Sequence, residues 1–256
     1  MKNREEKDII LSYFDILGTS KRLEKGSLQE VYDFYQYMVK LCSDDEIPMV
    51  IPNRLAHLRN LPELRNLLGG YQSPFLVISF PLKHAFFSDT FILWVEYDSF
   101  TQATLDGFAE RVNIIFCEAL KRKIPIRGLV TRGKAIMDEE NKLYLGLPIV
   151  EAARTESVQE WLGISLGNSC KGSVFLNIQD TTIPYDAHIK EGKENTVSEL
   201  VLDWPKWWRE HESISALQII DEMNTDPKYS KYYDNTKRFV LYSEKGTEVW
   251  NQQFAK

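Results

Sequence analysis

The segment that most constrains the fold is PFLVISFPLKHAFFSDTFILWVEY, residues 74–97, because it holds two strand-like runs separated by a short polar pair. Ser88 and Asp89 interrupt the apolar pattern and mark a turn between the runs. Strands joined by so short a turn pair antiparallel, since a parallel pair needs a long crossover connection. The segment therefore predicts an antiparallel hairpin.

Strand and helix patterns alternate over the first 180 residues. Residues 8–17 have the pattern of a buried strand, and residues 124–146 that of a second hairpin. Apolar positions at helical spacing predict the remaining elements: helices at 28–42, in pieces within 53–70, at 101–122 and at 148–157. The order strand, two helices, two strands, helix, strands, helix predicts an α+β fold, with helices on one face of a mainly antiparallel sheet.

The character of the sequence changes after about residue 180. We expect residues 1–180 to form the main domain and residues 181–256 to form a C-terminal α/β extension that packs on it without being clearly independent. The segment LDWPKWWREH, residues 202–211, predicts a Trp-rich packing anchor, followed by a last helix and strand.

Composition excludes several classes of function. The chain has 256 residues, of which 43% are hydrophobic and 27% charged, as in ordinary globular proteins. Its net charge of -6 argues against broad binding of nucleic acid or of anionic membranes, but it allows a local basic pocket for a phosphate. Three widely spaced cysteines fit neither a disulfide framework nor a zinc site, which indicates a reducing compartment. The N-terminus has neither a signal-peptide nor a membrane-span pattern, so the expected location is the cytoplasm.

Two acids are candidates for a metal site. Asp15 stands inside the apolar run LSYFDILGTSKR, residues 11–22, just before a turn at Gly18. If this strand neighbours the hairpin, the carboxylates of Asp15 and Asp89 converge at one edge of the sheet. Converging carboxylates are hard oxygen ligands that suit Mg²⁺ or Mn²⁺. The alternative is that each acid only stabilises its own turn, a position that Asp favours.

Four segments occur in the order and spacing of the class III nucleotidyl cyclase catalytic domain: FDILGTS, FFSDTF, IRGLVTRGKA and LGLPIVEAARTE. The chain resembles that family over roughly residues 8–180. The resemblance implies a βααββαβ core, a cyclase catalytic domain over residues 1–180, and a head-to-tail homodimer with two composite active sites. It also implies two divalent metal ions, Mn²⁺ or Mg²⁺, bound by Asp15, Asp89 and the backbone carbonyl of Ile16. Arg154 is then expected to reach the phosphates from the partner chain.

The same resemblance implies a set of nucleotide-binding residues: Phe14, Gly18, Thr19, Lys83, Arg127 and Arg132. For Arg127 and Arg132, which each precede a glycine, the alternative to a phosphate contact is a solvated charge. Arg154 could equally be a surface residue of an amphipathic helix. The planar guanidinium is nonetheless the better group for a phosphate.

Departures from the family pattern bear on the substrate. Val150 occupies the position four residues before Arg154 where purine cyclases of this class usually carry Asn, and Leu143 stands where an Asp commonly reads adenine. Within the family the chain is most similar to free-standing bacterial pyrimidine cyclases of Pycsar-type anti-phage defence. This likeness implies conversion of UTP, or next CTP, to cyclic UMP or cyclic CMP, a second messenger that activates a separately encoded effector.

Other hypotheses about the function stay open. A purine nucleotide cyclase would keep the mechanism and change the base. A non-catalytic cyclase-like module would bind a nucleotide or a protein partner and dimerise, and Val150 favours this reading. The segment FDILGT also resembles the nucleophile loop of haloacid-dehalogenase-type phosphatases, but Leu17 replaces the second acid that those enzymes need.

Overall fold

A computed structural model describes residues 5–19, 28–43, 82–96, 102–171 and 181–254. The strands are β1 (Lys7–Ile16), β2 (Lys83–Phe87), β3 (Thr90–Glu96), β4 (Ile126–Asp138), β5 (Leu143–Gly146), β6 (Ile164–Gly167), β7 (Thr182–Pro184) and β8 (Val197–Leu202). The helices are α1 (Leu28–Ser43), α2 (Gln102–Lys121), α3 (Leu147–Glu156), α4 (Trp204–His211), α5 (Ala216–Met223) and α6 (Ser230–Phe254).

All the strands of the described ranges join one sheet, in the order β2-β3-β1-β4-β6-β8-β7, with β5 paired to the far end of β4. Each strand pair is antiparallel except β4 and β6, which are parallel. Between these two strands the chain runs through β5 and α3, a connection long enough for a parallel pair. The expected α+β fold with a mainly antiparallel sheet is confirmed.

Strand β1 lies inside the sheet, between β3 and β4. Ile9, Ile10 and Leu11 follow one another along it and are each at most 1% exposed. Because successive strand residues point to opposite faces, both faces of the sheet are covered here. A residue at the end of β1 is therefore held by a strand whose middle is fully buried.

Most of the predicted elements are confirmed. The hairpin predicted within residues 74–97 is present over residues 83–96, as β2 and β3 with Ser88 and Asp89 in the turn, and the second hairpin is present as β4 and β5. The helices predicted at 28–42, 101–122 and 148–157 are α1, α2 and α3. The helical pieces predicted within 53–70 lie outside the described residues.

The C-terminal part differs from the prediction. Strands β7 and β8 extend the main sheet. The Trp-rich segment forms α4, and the two α-helices α5 and α6 follow it in the described chain, where a helix and a strand were predicted. Trp204 and Trp208 are buried, and the ring of Trp204 packs against Phe116 of α2 at 4.9 Å. The predicted packing role of the Trp-rich segment is confirmed for these two residues. None of the helices that the structure describes is long and apolar enough to cross a membrane.

Candidate functional site

Asp15 and Asp89 lie at the same end of the sheet. The antiparallel register of β1 and β3 sets Asp15 opposite Thr90, the residue that follows Asp89. The backbone N–H of Ile16 donates to the backbone carbonyl of Asp89 at 2.9 Å. Burial raises the pKa of Asp15 above its ordinary value, and the negative charge of Asp89 adds to that rise. The predicted convergence of the two acids is thus present within one chain.

Local hydrogen bonds fix the two turns that carry these acids. Tyr35 of α1 donates its hydroxyl to the carbonyl of Ser88, which holds the turn before Asp89. Thr19 is buried, and its hydroxyl donates to the carbonyl of Ile16 at 2.9 Å. Gly18 has a φ of 75°, a left-handed conformation that glycine adopts without strain. The chain can therefore turn sharply after Asp15, while the Ile16 carbonyl keeps a second lone pair for another partner.

Arg127 of β4 lies directly opposite Asp15 in the pairing of β4 with β1. Its Nε and Nη2 atoms donate to Oδ2 of Asp15 at 3.3 and 3.2 Å. Its Nη2 also forms an ion pair with Glu156, and its Nη1 donates to the backbone carbonyl of Gln159 at 2.8 Å. Only 10% of the side chain is exposed. Arg127 is therefore a buried, paired charge, and the alternative of a solvated charge is wrong.

Glu156 is a third acid at this site, and the sequence reasoning missed it. Burial raises its pKa to about 7, with Arg127 opposing the rise and the charge of Asp15 adding to it. The carboxyl groups of Glu156 and Asp15 are close enough to share a hydrogen bond. The available signal was helical spacing, since Ala152, Thr155 and Glu156 form the buried part of α3.

The donor set at the end of β1 fits a divalent cation. In the parts of the chain that are described, no group of three or more His, Cys, Asp or Glu side chains could hold a metal ion by itself. The candidate ligands are the carboxylates of Asp15 and Asp89 and the carbonyl of Ile16, all hard oxygens of the kind that Mg²⁺ and Mn²⁺ prefer. Mg²⁺ usually completes such a site with water and substrate phosphates, so a small protein set is sufficient.

Arg154 lies on the other side of α3, away from these acids. Side chains two positions apart in a helix point about 200° apart, so Arg154 and Glu156 face opposite directions. Arg154 is exposed and lines a cleft of about 1130 Å³ together with Arg132, Leu145 and Val150. Within one chain the structure does not bring Arg154 to Asp15 and Asp89.

Lys83 and Arg132 already have protein partners. The ammonium group of Lys83 forms ion pairs with Glu96 at 2.7 Å and with Glu139 at 2.9 Å. Lys83 pairs with Trp94 at the end of the β2–β3 hairpin that is remote from the Asp89 turn. The Nε atom of Arg132 donates to the carbonyl of Ser169 at 2.8 Å. Of the two, Arg132 lines the cleft that contains Arg154.

Phe14 is a core residue, so the prediction that its side chain contacts a nucleotide is wrong. The ring is fully buried and stacks on Phe91 at 4.7 Å between centroids. It also fills the space beside Gly128, where an added Cβ would lie only 2.8 Å from the ring. Since residues alternate along β1, Phe14 and Asp15 point to opposite faces of the sheet, and only Asp15 faces the site.

Comparison with known proteins gives likenesses among solved structures only: no family model and no curated protein matches the chain. A bacterial light-regulated adenylyl cyclase has a TM-score of 0.45 and 16% identity over 86% of this chain and 58% of its own. The catalytic core of a rhodopsin-guanylyl cyclase with converted specificity, in complex with ATPαS, has a TM-score of 0.45 and 13% identity over 78% of this chain and 98% of its own.

The guanylate cyclase domain of RhGC from Catenaria anguillulae, in complex with GTP, has a TM-score of 0.44 and 12% identity. That match covers 77% of this chain and 97% of the domain. This chain thus spans little more than half the length of the bacterial adenylyl cyclase and nearly all of the two guanylyl cyclase domains.

Proposed function

We propose that this chain is a metal-dependent nucleotidyl cyclase that converts a pyrimidine ribonucleoside triphosphate, UTP in preference to CTP, into the 3′,5′-cyclic monophosphate and pyrophosphate. The observation that carries the proposal is the convergence of Asp15 and Asp89 at one end of the sheet, produced by the pairing of β1 with β3. The motif resemblance over residues 8–180 supplies the reaction class.

The reaction forms a bond between the ribose 3′-oxygen and the α-phosphorus and breaks the bond from that phosphorus to the pyrophosphate oxygen, while the 3′-hydroxyl proton passes to solvent. Catalysis of such a step is mostly positioning and neutralisation of charge. Asp15, Asp89 and the Ile16 carbonyl would hold two divalent cations, Mn²⁺ or Mg²⁺. When bound, these cations supply charge that activates the hydroxyl and stabilises the leaving pyrophosphate. Gly18 and Thr19 form the turn beside these ligands, where the phosphates would lie.

A complete site requires two copies of the chain in this proposal. Arg154 and Glu156 face opposite sides of α3, so the arginine of one chain would serve the acids of its partner. The exposed aliphatic residues next to Arg154 support contact with another chain: Leu145 and Leu147 are 60% and 82% exposed. We therefore expect a homodimer with two composite sites.

The pyrimidine preference rests on Leu143 and Val150, which stand where relatives carry residues that read a purine. Both are exposed aliphatic side chains without hydrogen-bonding groups, and Val150 lines the cleft. A base bound beside them would lose the contacts that select adenine or guanine. The resemblance further suggests that the product is an anti-phage second messenger for a separate effector. The buried free thiols Cys42, Cys117 and Cys170 fit a cytoplasmic setting.

A non-catalytic nucleotide-binding module is the second candidate. It is favoured by one observation, the ion pair between Arg127 and Asp15, which already engages one carboxylate oxygen of the site. Metal-dependent turnover would eliminate this candidate.

The first experiment incubates the purified protein with Mn²⁺ and each of the four ribonucleoside triphosphates separately, and identifies products by mass spectrometry. We expect cyclic UMP, or cyclic CMP, and pyrophosphate. A purine cyclic nucleotide would overturn the pyrimidine assignment and keep the mechanism. No cyclic product from any of the four would contradict the enzyme and favour the binding module.

Asp15→Ala and Asp89→Ala test the site. Each variant should lose essentially all turnover while the circular dichroism spectrum and oligomeric state stay unchanged. Asp89 lies in a turn, and in Asp15→Ala the buried Arg127 keeps Glu156 and the Gln159 carbonyl as partners. An Asp15→Ala protein with full activity would refute the assignment of Asp15 as a metal ligand.

A further inference from the structure

Arg127 is held from several directions. Its guanidinium contacts the Asp15 carboxylate, the Glu156 carboxylate and the Gln159 carbonyl, so it bridges β1, α3 and the segment after α3. The ring of Tyr232 in α6 lies 5.8 Å from the guanidinium carbon, within the range of a cation–π contact. With so many fixed partners the guanidinium has little freedom to move toward a ligand.

The segment that accepts from Arg127 is itself tightly fixed. Gln159 is fully buried, and its amide donates to the carbonyl of Gly128 in β4 at 3.0 Å. Its side-chain oxygen accepts from the Ser165 hydroxyl at 2.7 Å and from the Trp161 indole at 3.2 Å. A buried amide with three hydrogen bonds of this kind fixes the backbone around it. The Gln159 carbonyl is thus a rigid anchor for Arg127.

Helix α6 completes the arrangement. Its Thr236 hydroxyl accepts from the backbone N–H of Leu162 at 2.8 Å, and its Asn235 amide donates to the carbonyl of Glu160 at 2.8 Å. Just before α6, the ring of Tyr229 lies beside Gly18, where an added Cβ would be 3.7 Å away. The C-terminal part of the chain therefore touches the candidate site through the turn after β1, through Arg127 and through the 159–162 segment.

We propose that Arg127 is a positioning residue that orients the Asp15 carboxylate for a divalent cation, and that α6 keeps Arg127 in place. This proposal rests on the proposed function only in taking Asp15 as a metal ligand. It replaces the expected phosphate contact of Arg127, because all three guanidinium nitrogens donate to protein groups. The Nε and Nη2 atoms donate to Oδ2 of Asp15, and the Nη1 atom donates to the Gln159 carbonyl. The C-terminal region is then part of the site.

Orientation and charge have opposite effects on cation binding, which makes the proposal testable. A positive guanidinium near the ligands repels a cation. If Arg127 only balances charge, the site should therefore bind a cation more tightly when Arg127 is replaced by a neutral residue. If Arg127 orients a ligand carboxylate, the site should bind the cation more weakly when the guanidinium geometry is lost, typically by 10–100-fold. Arg127→Lys keeps the charge and removes the forked donor geometry.

The experiment measures Mn²⁺ affinity of the nucleotide-free, full-length protein by isothermal titration calorimetry. Arg127→Lys should bind Mn²⁺ about 10–100-fold more weakly than the wild type. The control is Arg209→Lys, which alters an exposed arginine of α4 whose Nη2 atom donates to the Ser243 hydroxyl at 3.0 Å, and it should leave Mn²⁺ affinity unchanged. Unchanged affinity in Arg127→Lys, or tighter binding in Arg127→Gln, would overturn the positioning role.

A second pair of variants tests the part played by α6. Tyr232→Phe keeps the ring beside Arg127 and should bind Mn²⁺ like the wild type, whereas Tyr232→Leu removes the ring and should bind more weakly. Equal affinities for the two would show that the α6 contact has no role in positioning. Thermal unfolding of each variant identifies any that fail to fold.

The cyclase assay separates this proposal from the proposed function. A wild-type protein that binds Mn²⁺ but forms no cyclic nucleotide refutes the cyclase, while the Arg127→Lys affinity still decides the positioning role. A wild-type protein that binds no Mn²⁺ refutes the positioning role directly.

Discussion

At the scale of single residues, the candidate site is governed by the cost of burying charge. A guanidinium that is only 10% exposed is tolerated when carboxylates and a carbonyl satisfy its donors, and Asp15, Glu156 and Gln159 do so for Arg127. Burial raises the pKa of both carboxyls, and Arg127 opposes the rise in each. The proximity of Asp15 adds to the rise at Glu156, whereas the hydrogen bond with Glu156 opposes the rise at Asp15. The site thus favours additional positive charge near Asp15.

His188 gives a prediction about pH that does not involve the acids Asp15 and Asp89. Its ring is within 2.7 Å of the Tyr185 hydroxyl, and burial lowers its pKa, with the nearby Arg238 adding to the effect while Asp186 and Glu160 oppose it. A histidine with a folded pKa below its unfolded value of about 6.5 contributes stability above that pH. This contribution is lost as the pH falls through the folded pKa.

We therefore expect the free energy of unfolding of the wild type to fall relative to that of His188→Gln as the pH is lowered from neutral toward 5. Urea unfolding of both proteins across this range measures the difference. Parallel pH profiles would contradict the assignment, because glutamine cannot titrate.

At the scale of elements, α3 contributes to the candidate site with one face and to the cleft with the other. One side carries Ala152, Thr155 and Glu156 into the protein against β1 and β4, and the other carries Arg154 into the cleft. A single helix can do so because its side chains repeat every 3.6 residues, which separates neighbours in sequence onto different faces. The proposed pairing of two chains follows from this division.

The junction between α4 and α6 gives a second prediction. Asp203 is buried, caps α4 by accepting from the backbone N–H of Lys206, and accepts from the Ser243 hydroxyl of α6 at 2.5 Å. Asp203→Ala removes both acceptors and should lower the free energy of unfolding by about 1–3 kcal/mol.

Asp203→Asn keeps an acceptor oxygen of nearly the same shape and should cost clearly less. Urea unfolding at neutral pH compares the two variants. An Asn variant as unstable as the Ala variant would indicate that the negative charge of Asp203, and not its acceptor, holds the helices together.

At the scale of the whole molecule, one sheet runs from β2 at one edge to β7 at the other, and the C-terminal helices fold back to the end of β1. The N-terminal and C-terminal parts of the chain therefore share a sheet and the surroundings of Asp15. The division at residue 180 describes a change in sequence composition. We propose that residues 1–180 and residues 181–256 function together.

The composite site predicts complementation between two inactive variants. Asp15→Ala and Arg154→Ala should each be inactive alone. In an equal mixture of chains that exchange freely, half of the dimers contain one of each, and each mixed dimer has one intact site. The mixture should regain about a quarter of wild-type cyclase activity.

Cyclic nucleotide formation by the co-expressed variants measures this recovery, with sedimentation confirming the dimer. A mixture as inactive as its parents would contradict a site shared between chains.

The elements of this protein were largely determined by local sequence pattern. Alternating or continuous apolar runs specify β1 and the β2–β3 hairpin, and helical spacing specifies α1, α2 and α3, because these patterns express backbone periodicity over a few residues. The acids Asp15 and Asp89 were also recognisable, since each interrupts an apolar strand pattern at a turn. Their convergence was predictable once β1 was taken to neighbour the hairpin.

Only the tertiary structure decided which side chains surround Asp15. Arg127 lies 112 residues from Asp15 in the chain, and its partners Glu156 and Gln159 come from a different segment, so no local pattern joins them. Register likewise placed Phe14 in the core and Asp15 on the face of the candidate site, although both stand in the same apolar run. Sequence periodicity specifies which residues share a face, whereas pairing across the sheet and the cost of unpaired buried charge specify their partners.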